Sequence, residues 1–305
     1  MSATPSHILF IAPTRIGDAV LASSLLEHIR LTQPNARVTI IASSFSAPLF
    51  TGYLSLDALH IVDKLSFSRH WWRIWKIAIE KQWNEIWDMR GSMLAYLCAT
   101  RQRHVFTSTD ETMPKCEQYR IKLGLPALPY PALWPQSGDI AKAHSIASDY
   151  DKIIVLAPCA NWLAKEWPIE YFIELGRRLF GELFKGYRPF IVCAAHERAR
   201  ALPLLEALKA FAPIDATHGD ISLLAIYAIF SNAHGFIGND SGLMHMAAAS
   251  GAPTLGLFGP TDNITYQPYG PKVAHVVAAE GLLRKLQPEI VLKEFVALVT
   301  SKASL

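Results

Sequence analysis

The residues best suited to chemistry follow a short apolar run at 235–238. There the chain reads Asn239-Asp240-Ser241-Gly242-Leu243-Met244-His245 and enters a helix of small residues. A helix start presents unpaired backbone N–H groups and partial positive charge; Gly242 permits close approach, and Ser241 offers a hydroxyl. With His245 one turn inside, the segment is suited to bind an anion such as a diphosphate. The alternative is that Asp240 or Ser241 only caps the helix.

Three other segments place polar side chains beside predicted strands or helix starts. The segment Leu257-Phe258-Gly259-Pro260-Thr261-Asp262 brings a rigid polar turn to a strand end, although Gly-Pro pairs also occur in loops that bind nothing. Asp18 follows the first strand, where it fits either a general base or an acid in the first helical turn. Lys165, before a Trp-Pro helix start, is either a cation for a leaving group or a solvated surface lysine.

Alternating strands and helices must position these segments. In the first half, β-rich runs at 8–11, 38–41, 59–62 and 85–88 alternate with helical patterns, the first near 18–32, which predicts βαβ units and a parallel sheet. The second half repeats the rhythm, with runs at 153–156, 190–193, 235–238 and 254–258. Because open α/β sheets bind ligands beyond the carboxyl ends of their strands, we expect the site there, between two facing halves.

A proline-rich stretch, with Pro126, Pro129, Pro131 and Pro135, interrupts this rhythm near the middle of the chain. A chain of 305 residues is also longer than one ordinary domain. We therefore predict an N-terminal domain at 1–140 and a C-terminal domain at 141–305. The last helix is a candidate to pack back on the N-terminal domain.

The amino-acid composition and the net charge exclude several classes of protein. A net charge of +3 without basic runs argues against a nucleic-acid partner, and 51% hydrophobic residues exclude a disordered chain. Four widely spaced cysteines without a CxxC pattern are expected to be reduced, buried thiols. Because neither an export signal nor a long apolar stretch is evident, we expect a cytoplasmic protein whose only membrane contact is peripheral.

The two paired motifs around Asp240 and Thr261 resemble those of glycosyltransferase family 9, the ADP-heptose lipopolysaccharide heptosyltransferases. Arg15-Ile16-Gly17-Asp18 and Lys165-Glu166-Trp167-Pro168 agree in order and spacing. The resemblance implies a GT-B fold, in which two Rossmann-like doubly wound domains face a central cleft, with the acceptor on the first and the nucleotide sugar on the second. It also implies inverting transfer of heptose from ADP-heptose to the lipopolysaccharide core at the cytoplasmic face of the inner membrane.

The resemblance also assigns roles to individual residues. Asp18 is the general base, and Lys165 contacts the phosphates. Glu197 matches an acid that binds the ribose, although a helix-start acid is an equally good account of it, and His196 is expected to be exposed. The implied donor-binding set is Glu197, Asp240, Ser241, Gly242, His245, Thr261 and Asp262, while Arg15 and Gly17 belong to the acceptor-side loop. The stretch 157–162 departs from the family's small hydroxyl residues.

We predict that the protein requires neither a metal nor a cofactor. The sequence contains neither an Asp-x-Asp pair nor a histidine cluster with ligand spacing, which fits transfer without a metal. Two other functions stay open: a sugar-nucleotide isomerase or hydrolase of the same fold, and a non-catalytic nucleotide-sugar binding protein. A nicotinamide dehydrogenase is disfavoured because neither 13–17 nor 157–161 supplies a GxGxxG turn.

The segment Arg69-His70-Trp71-Trp72-Arg73-Ile74-Trp75-Lys76 combines tryptophans and cations without an acid. Tryptophan favours the headgroup region of a bilayer and clustered cations are attracted to anionic lipid, so a helix here is suited to a peripheral membrane contact. The alternative is that the tryptophans pack in the core, which Trp83 and Trp87 in the next strand favour.

Overall fold

The computed structural model describes residues 5–63, 69–107, 112–147 and 152–301. The chain divides into two compact units, Met1–Trp134 and Pro135–Leu305, each with one all-parallel sheet. Helices alternate with the strands in both units. The predicted fold class, two doubly wound parallel-sheet α/β domains, is confirmed.

The sheet of unit 1 has the strand order β3-β2-β1-β4-β5. Its strands are β1 His7–Ile11, β2 Arg37–Ala42, β3 Leu56–Ile61, β4 Trp83–Asp88 and β5 Thr100–Val105, and the helices are α1 Ile16–Thr32, α2 Arg69–Ile79 and α3 Lys115–Lys122. The central strand β1 is fully buried from Ile8 to Ile11. A parallel strand covered on both faces needs such a continuous apolar run, which is why the sequence revealed it.

The sheet of unit 2 has the order β11-β10-β9-β6-β7-β8. Its strands are β6 Ile153–Ala157, β7 Arg188–Val192, β8 Ile214–Ala216, β9 Gly235–Asn239, β10 Thr254–Phe258 and β11 Val273–Val277. Its helices are α4 Ser137–Ile146, α5 Ile169–Arg178, α6 Arg198–Ala207, α7 Leu223–Phe230, α8 Gly242–Ala249 and α9 Pro288–Thr300. The last helix, α9, packs on the core of its own unit through Val291 and Phe295.

Three strands that the sequence patterns did not reveal lie at sheet edges. They are β5, β8 and β11, and each ends its sheet. β5 reads Thr-Arg-Gln-Arg-His-Val and is largely exposed, while β8 has only three residues. An edge strand is covered on fewer sides, so it lacks the continuous apolar run that identified the central strands.

Two glycines of the sheet in unit 2 leave little room for a side chain. A Cβ atom added at Gly256 of β10 would stand 2.5 Å from the sulfur of Met244 on α8, and one at Gly238 of β9 would stand 2.8 Å from the Cβ of Ala157 on β6. Gly256 thus makes room for the side chain of Met244, and Gly238 makes room for the neighbouring strand.

None of the helices in the described ranges is long and apolar enough to cross a membrane. The most apolar run of the chain, at 221–230, forms the buried helix α7. The hydroxyl of Ser222 caps that helix by accepting the N–H of Ala225 at 3.0 Å.

Candidate active site

The strand order of unit 2 reverses between β6 and β9, since β6 continues toward β7 while β9 continues toward β10. Loops on the two sides of such a switch point leave a crevice at the carboxyl edge of the sheet, which is where open α/β sheets bind ligands. The loop after β6 carries Lys165, and the chain after β9 enters α8 at Gly242. The structure therefore brings two of the predicted segments to one edge of the sheet.

Asn239, at the end of β9, ties these two loops together. Its Nδ2 donates to the carbonyl of Pro158 at 2.7 Å, and its Oδ1 accepts the backbone N–H of Trp167 at 3.0 Å. The side chain is fully buried. The sequence placed Asn239 in the motif but assigned it no role, because its two partners lie 72 and 81 residues away in the chain. We interpret Asn239 as a positioning residue for the Lys165 loop.

The ammonium of Lys165 is held by a carboxylate across this crevice. Its Nζ donates to Oδ2 of Asp240 at 2.6 Å, with the two side chains 21% and 6% exposed. Lys165 is therefore not a fully solvated surface lysine. An ammonium has three N–H donors, and the Asp240 bond uses one of them. The others are available to an anion at the same place.

Two buried hydroxyls at this edge make no bond. Ser241 occupies the position before α8, yet its side chain does not cap the helix. Its Oγ and the Oγ1 of Thr261, which follows β10, have no hydrogen-bond partner among the described residues. Buried polar atoms are nearly always paired, so these two hydroxyls are available to bind a ligand. His245 lies buried one turn inside the same helix.

Asp262 stabilises the turn after β10. Its Oδ1 accepts the N–H groups of Ile264 at 2.9 Å and Thr265 at 3.1 Å. Burial acts to raise the pKa of Asp262, but the hydrogen bonds from Thr265 and Ile264 outweigh it and hold that pKa below its usual value. The role of Asp262 toward a sugar stays a prediction.

Glu197 is a buried acid at the start of α6. Its Oε2 accepts the N–H of Ala194 at 3.1 Å, and its Oε1 lies 3.2 Å from Nη2 of Arg200. Arg200 also pairs with Glu166 at 2.9 Å. The arginine, which the sequence did not single out, thus joins the loop after β6 to the start of α6. His196 beside Glu197 is 78% exposed, as expected.

In unit 1, the strand order reverses between β1 and β4, and Asp18 lies beyond β1. Three side chains hold the connecting loop: Arg90 donates to the carbonyl of residue 12 at 2.7 Å, Ser46 to that of 13 at 3.1 Å and Ser43 to that of 14 at 2.8 Å. Helix α1 then begins directly after Arg15, with Gly17 and Asp18 in its first turn. Asp18 is half-buried and is the acid in the first turn of this helix.

A buried lysine accompanies Asp18 in unit 1. Lys115, the first residue of α3, is 7% exposed, and its ammonium lies 4.7 Å from the ring centre of Phe106 and 6.0 Å from that of Tyr119. Burial lowers the pKa of Lys115, while the nearby charge of Asp18 acts to raise it. The sequence did not single out Lys115, since nothing in its spacing indicates burial.

The tryptophan-rich segment forms α2, which has a buried face and an exposed face. Ile74 is fully buried, and Trp71 and Trp75 pack against the same core cluster. Trp72 is 58% exposed, it stacks on Trp75, and the ammonium of Lys76 lies 5.7 Å from its ring centre. Core packing thus accounts for two of the three tryptophans.

Two doubly wound parallel sheets in one chain, with polar residues beyond the carboxyl ends of their strands, are typical of the GT-B fold. The sequence signature of glycosyltransferase family 9 (heptosyltransferase) matches residues 75–295. Since this is well over half of the chain, the chain belongs to that family. The predicted enzyme class, a glycosyltransferase, is confirmed.

Similar proteins agree with this assignment. The chain is 24% identical over 298 residues to lipopolysaccharide heptosyltransferase 2 of Salmonella typhimurium, and the match covers 83% of both proteins. The fold of the chain is similar to that of a family 9 glycosyl transferase from Veillonella parvula, with a TM-score of 0.81, 20% identity and 98% of each chain covered. It is also similar to Escherichia coli heptosyltransferase WaaC with ADP, with a TM-score of 0.73, 18% identity and 96% and 100% of the two chains covered.

Proposed function

We propose that this glycosyltransferase transfers heptose, with inversion, from ADP-heptose to the inner core of lipopolysaccharide. The observation that carries the proposal is the anion site of unit 2, where the buried hydroxyl of Ser241 and the start of α8 lie beside the Lys165–Asp240 pair. The relatives named above supply the choice of sugar, nucleotide and acceptor. Arg15 and Gly17 belong to the loop that receives the acceptor.

In the proposed reaction, Asp18 accepts the proton of an acceptor hydroxyl as that oxygen bonds to the anomeric carbon of the donor. The bond from that carbon to the diphosphate breaks, and ADP leaves with the electron pair. Backbone N–H groups of α8, with Ser241 and Lys165, stabilise the growing negative charge on the diphosphate. Glu197 is proposed to bind the ribose, and Thr261 and Asp262 the sugar. The proposed mechanism uses neither a metal nor another cofactor.

The first test is a donor screen on the wild-type chain. We expect ADP-heptose to raise the melting temperature more than GDP-, UDP- or dTDP-sugars, because ligand binding to the native state stabilises it. Indifference to every sugar nucleotide would contradict the proposal.

The second test separates chemistry from binding. We expect Asp18→Asn to abolish transfer while leaving the donor-induced thermal shift intact, since Asp18 acts on the acceptor. Glu27→Gln is the matched control, because Glu27 lies on the same helix and its one ion pair among the described residues is a partly exposed i,i+3 contact with Arg30. Transfer that survives in Asp18→Asn would refute the assigned base.

A sugar-nucleotide isomerase or hydrolase is the alternative that product analysis distinguishes. Such an enzyme would release an altered or free sugar without any acceptor, whereas the proposed reaction yields no free sugar. A binding protein without turnover would show the thermal shift alone. The family assignment favours transfer over both.

We also propose that the exposed face of α2 makes peripheral contact with anionic lipid. Trp72, Arg73 and Lys76 are exposed there, and such residues favour an anionic interface. We expect Trp72→Ala to reduce co-sedimentation with vesicles that contain anionic phospholipid. Trp162→Ala is the control, because Trp162 is similarly exposed, at 52% against 58%, but lies in unit 2. Equal loss in both variants would refute the contact.

A further inference from the structure

Two cysteines and a carboxylate meet at the carboxyl edge of the sheet in unit 2. Cys159 lies in the loop after β6, Cys193 follows β7 directly, and Glu197 lies in the turn that begins α6. One ligand atom of each, the two Sγ atoms and a carboxylate oxygen, lie within 4.8 Å of one another, and all three residues are buried. The mechanism proposed above does not use the thiols.

The spacing of these atoms fits a tetrahedral metal. Zinc binds thiolate at about 2.3 Å and carboxylate oxygen at about 2.0–2.2 Å, so its ligand atoms lie roughly 3.4–3.8 Å from one another. The atoms observed within 4.8 Å need to approach by about 1 Å or less, which small side-chain rotations supply. The backbones already lie side by side, because β6 pairs with β7 through Leu156 and Ile191.

The charges around the cluster also suit a dication. Arg200 already balances part of the negative charge of Glu166 and Glu197. When a dication binds, each thiol loses its proton to solvent, so two thiolates compensate the two positive charges and the net charge of the cluster is unchanged. Thiolate ligands select soft or borderline cations over magnesium or calcium.

We propose that Cys159, Cys193 and Glu197 form a binding site for a thiophilic divalent cation, best matched by Zn²⁺. Glu197 is the residue proposed for the ribose, so, if the proposed function holds, a cation here competes with the donor. A cation bound there is thus inhibitory, and the proposed transfer reaction does not use it.

The test uses Co²⁺ as a spectroscopic probe of the full, reduced chain. We expect one equivalent of Co²⁺ to produce the near-ultraviolet thiolate charge-transfer band and the intense visible bands of a tetrahedral site, and Zn²⁺ to remove both. Cys159→Ser and Cys193→Ser should each lose the charge-transfer band. Cys98→Ser and Cys116→Ser are the matched controls, since these thiols are also free and buried but lie in unit 1.

Several results would overturn the site: no thiolate band in the wild type, a band that keeps its full intensity in either Cys159→Ser or Cys193→Ser, or a band lost in Cys98→Ser or Cys116→Ser. Circular dichroism checks that each variant is folded, and Cys193→Ala replaces Cys193→Ser if the hydroxyl is not tolerated. The spectrum needs no sugar nucleotide, so it is independent of the proposed function. Zn²⁺ competition against the ADP-heptose thermal shift then tests the inhibitory role, and a shift that Zn²⁺ leaves unchanged would refute that role.

Discussion

We expect Asn239→Ala to lower the free energy of unfolding of unit 2 strongly, although the substitution removes only a few atoms. The substitution removes both the 2.7 Å bond to the carbonyl of Pro158 and the 3.0 Å bond from the N–H of Trp167. Both backbone groups are then left without the amide that satisfied them. Since the side chain is fully buried, water does not readily replace it.

The magnitude follows from the two lost bonds. A buried hydrogen bond contributes about 1 kcal/mol, and each partner left unsatisfied costs about 1–3 kcal/mol, so we expect the free energy of unfolding to fall by about 3 kcal/mol. For a unit of this size, each 1 kcal/mol changes the melting temperature by about 2–4 °C, which predicts a decrease of about 6–12 °C.

Urea and thermal unfolding, followed by circular dichroism, measure this change. The matched control is Asn232→Ala, because Asn232 is exposed and its amide makes a single 3.2 Å bond to the carbonyl of Ala228. We expect that variant to lose about 0.5 kcal/mol or less. If Asn239→Ala and Asn232→Ala unfold at the same temperature, the tie between the loops after β6 and β9 contributes nothing, and our account of the Lys165 position is wrong.

Three further substitutions test the site and its support. Ser241→Ala should change the free energy of unfolding by less than about 0.5 kcal/mol, since the serine hydroxyl has no described partner. The same substitution should weaken ADP binding, measured by calorimetry, about tenfold, and an unchanged affinity for ADP would contradict the role of Ser241. Gly256→Ala should cost about 1–3 kcal/mol by denaturant unfolding because its Cβ would meet α8 at 2.5 Å, whereas Gly138→Ala, with open space, should not. Lys115→Met should raise the free energy of unfolding by about 1 kcal/mol, and with it the melting temperature, because it removes a buried ammonium. Lys122→Met, at an exposed position on the same helix, should leave the melting temperature unchanged, and a melting temperature of Lys115→Met below that of the wild type would refute this reasoning.

The central strands and the motifs were predictable because their signals are local. β1, β6, β9 and β10 are covered on both faces and must be continuously apolar, and a helix start after such a strand is visible in the order of residues. The motif from Asn239 to His245 also identified the family. The edge strands β5, β8 and β11 were missed because β5 is polar and largely exposed, β8 has only three residues, and a histidine interrupts the apolar residues of β11.

Several partners of the site residues were not predictable, because those pairs are distant in sequence. Lys165 meets Asp240 across 75 positions, and the order of the two strands that bring them together is a property of the whole sheet. Cys159 and Cys193 lack the short spacing of a metal motif, and only the pairing of β6 with β7 brings their sulfur atoms together.

The sequence alone determined the class of fold, the family and the residues at the strand ends, because burial and helix initiation depend on residues that are neighbours in the chain. Only the tertiary structure decided which of those residues face one another, which hydroxyls stay unpaired and which lysine is buried. These properties depend on strand order and side-chain packing, and no local pattern encodes them.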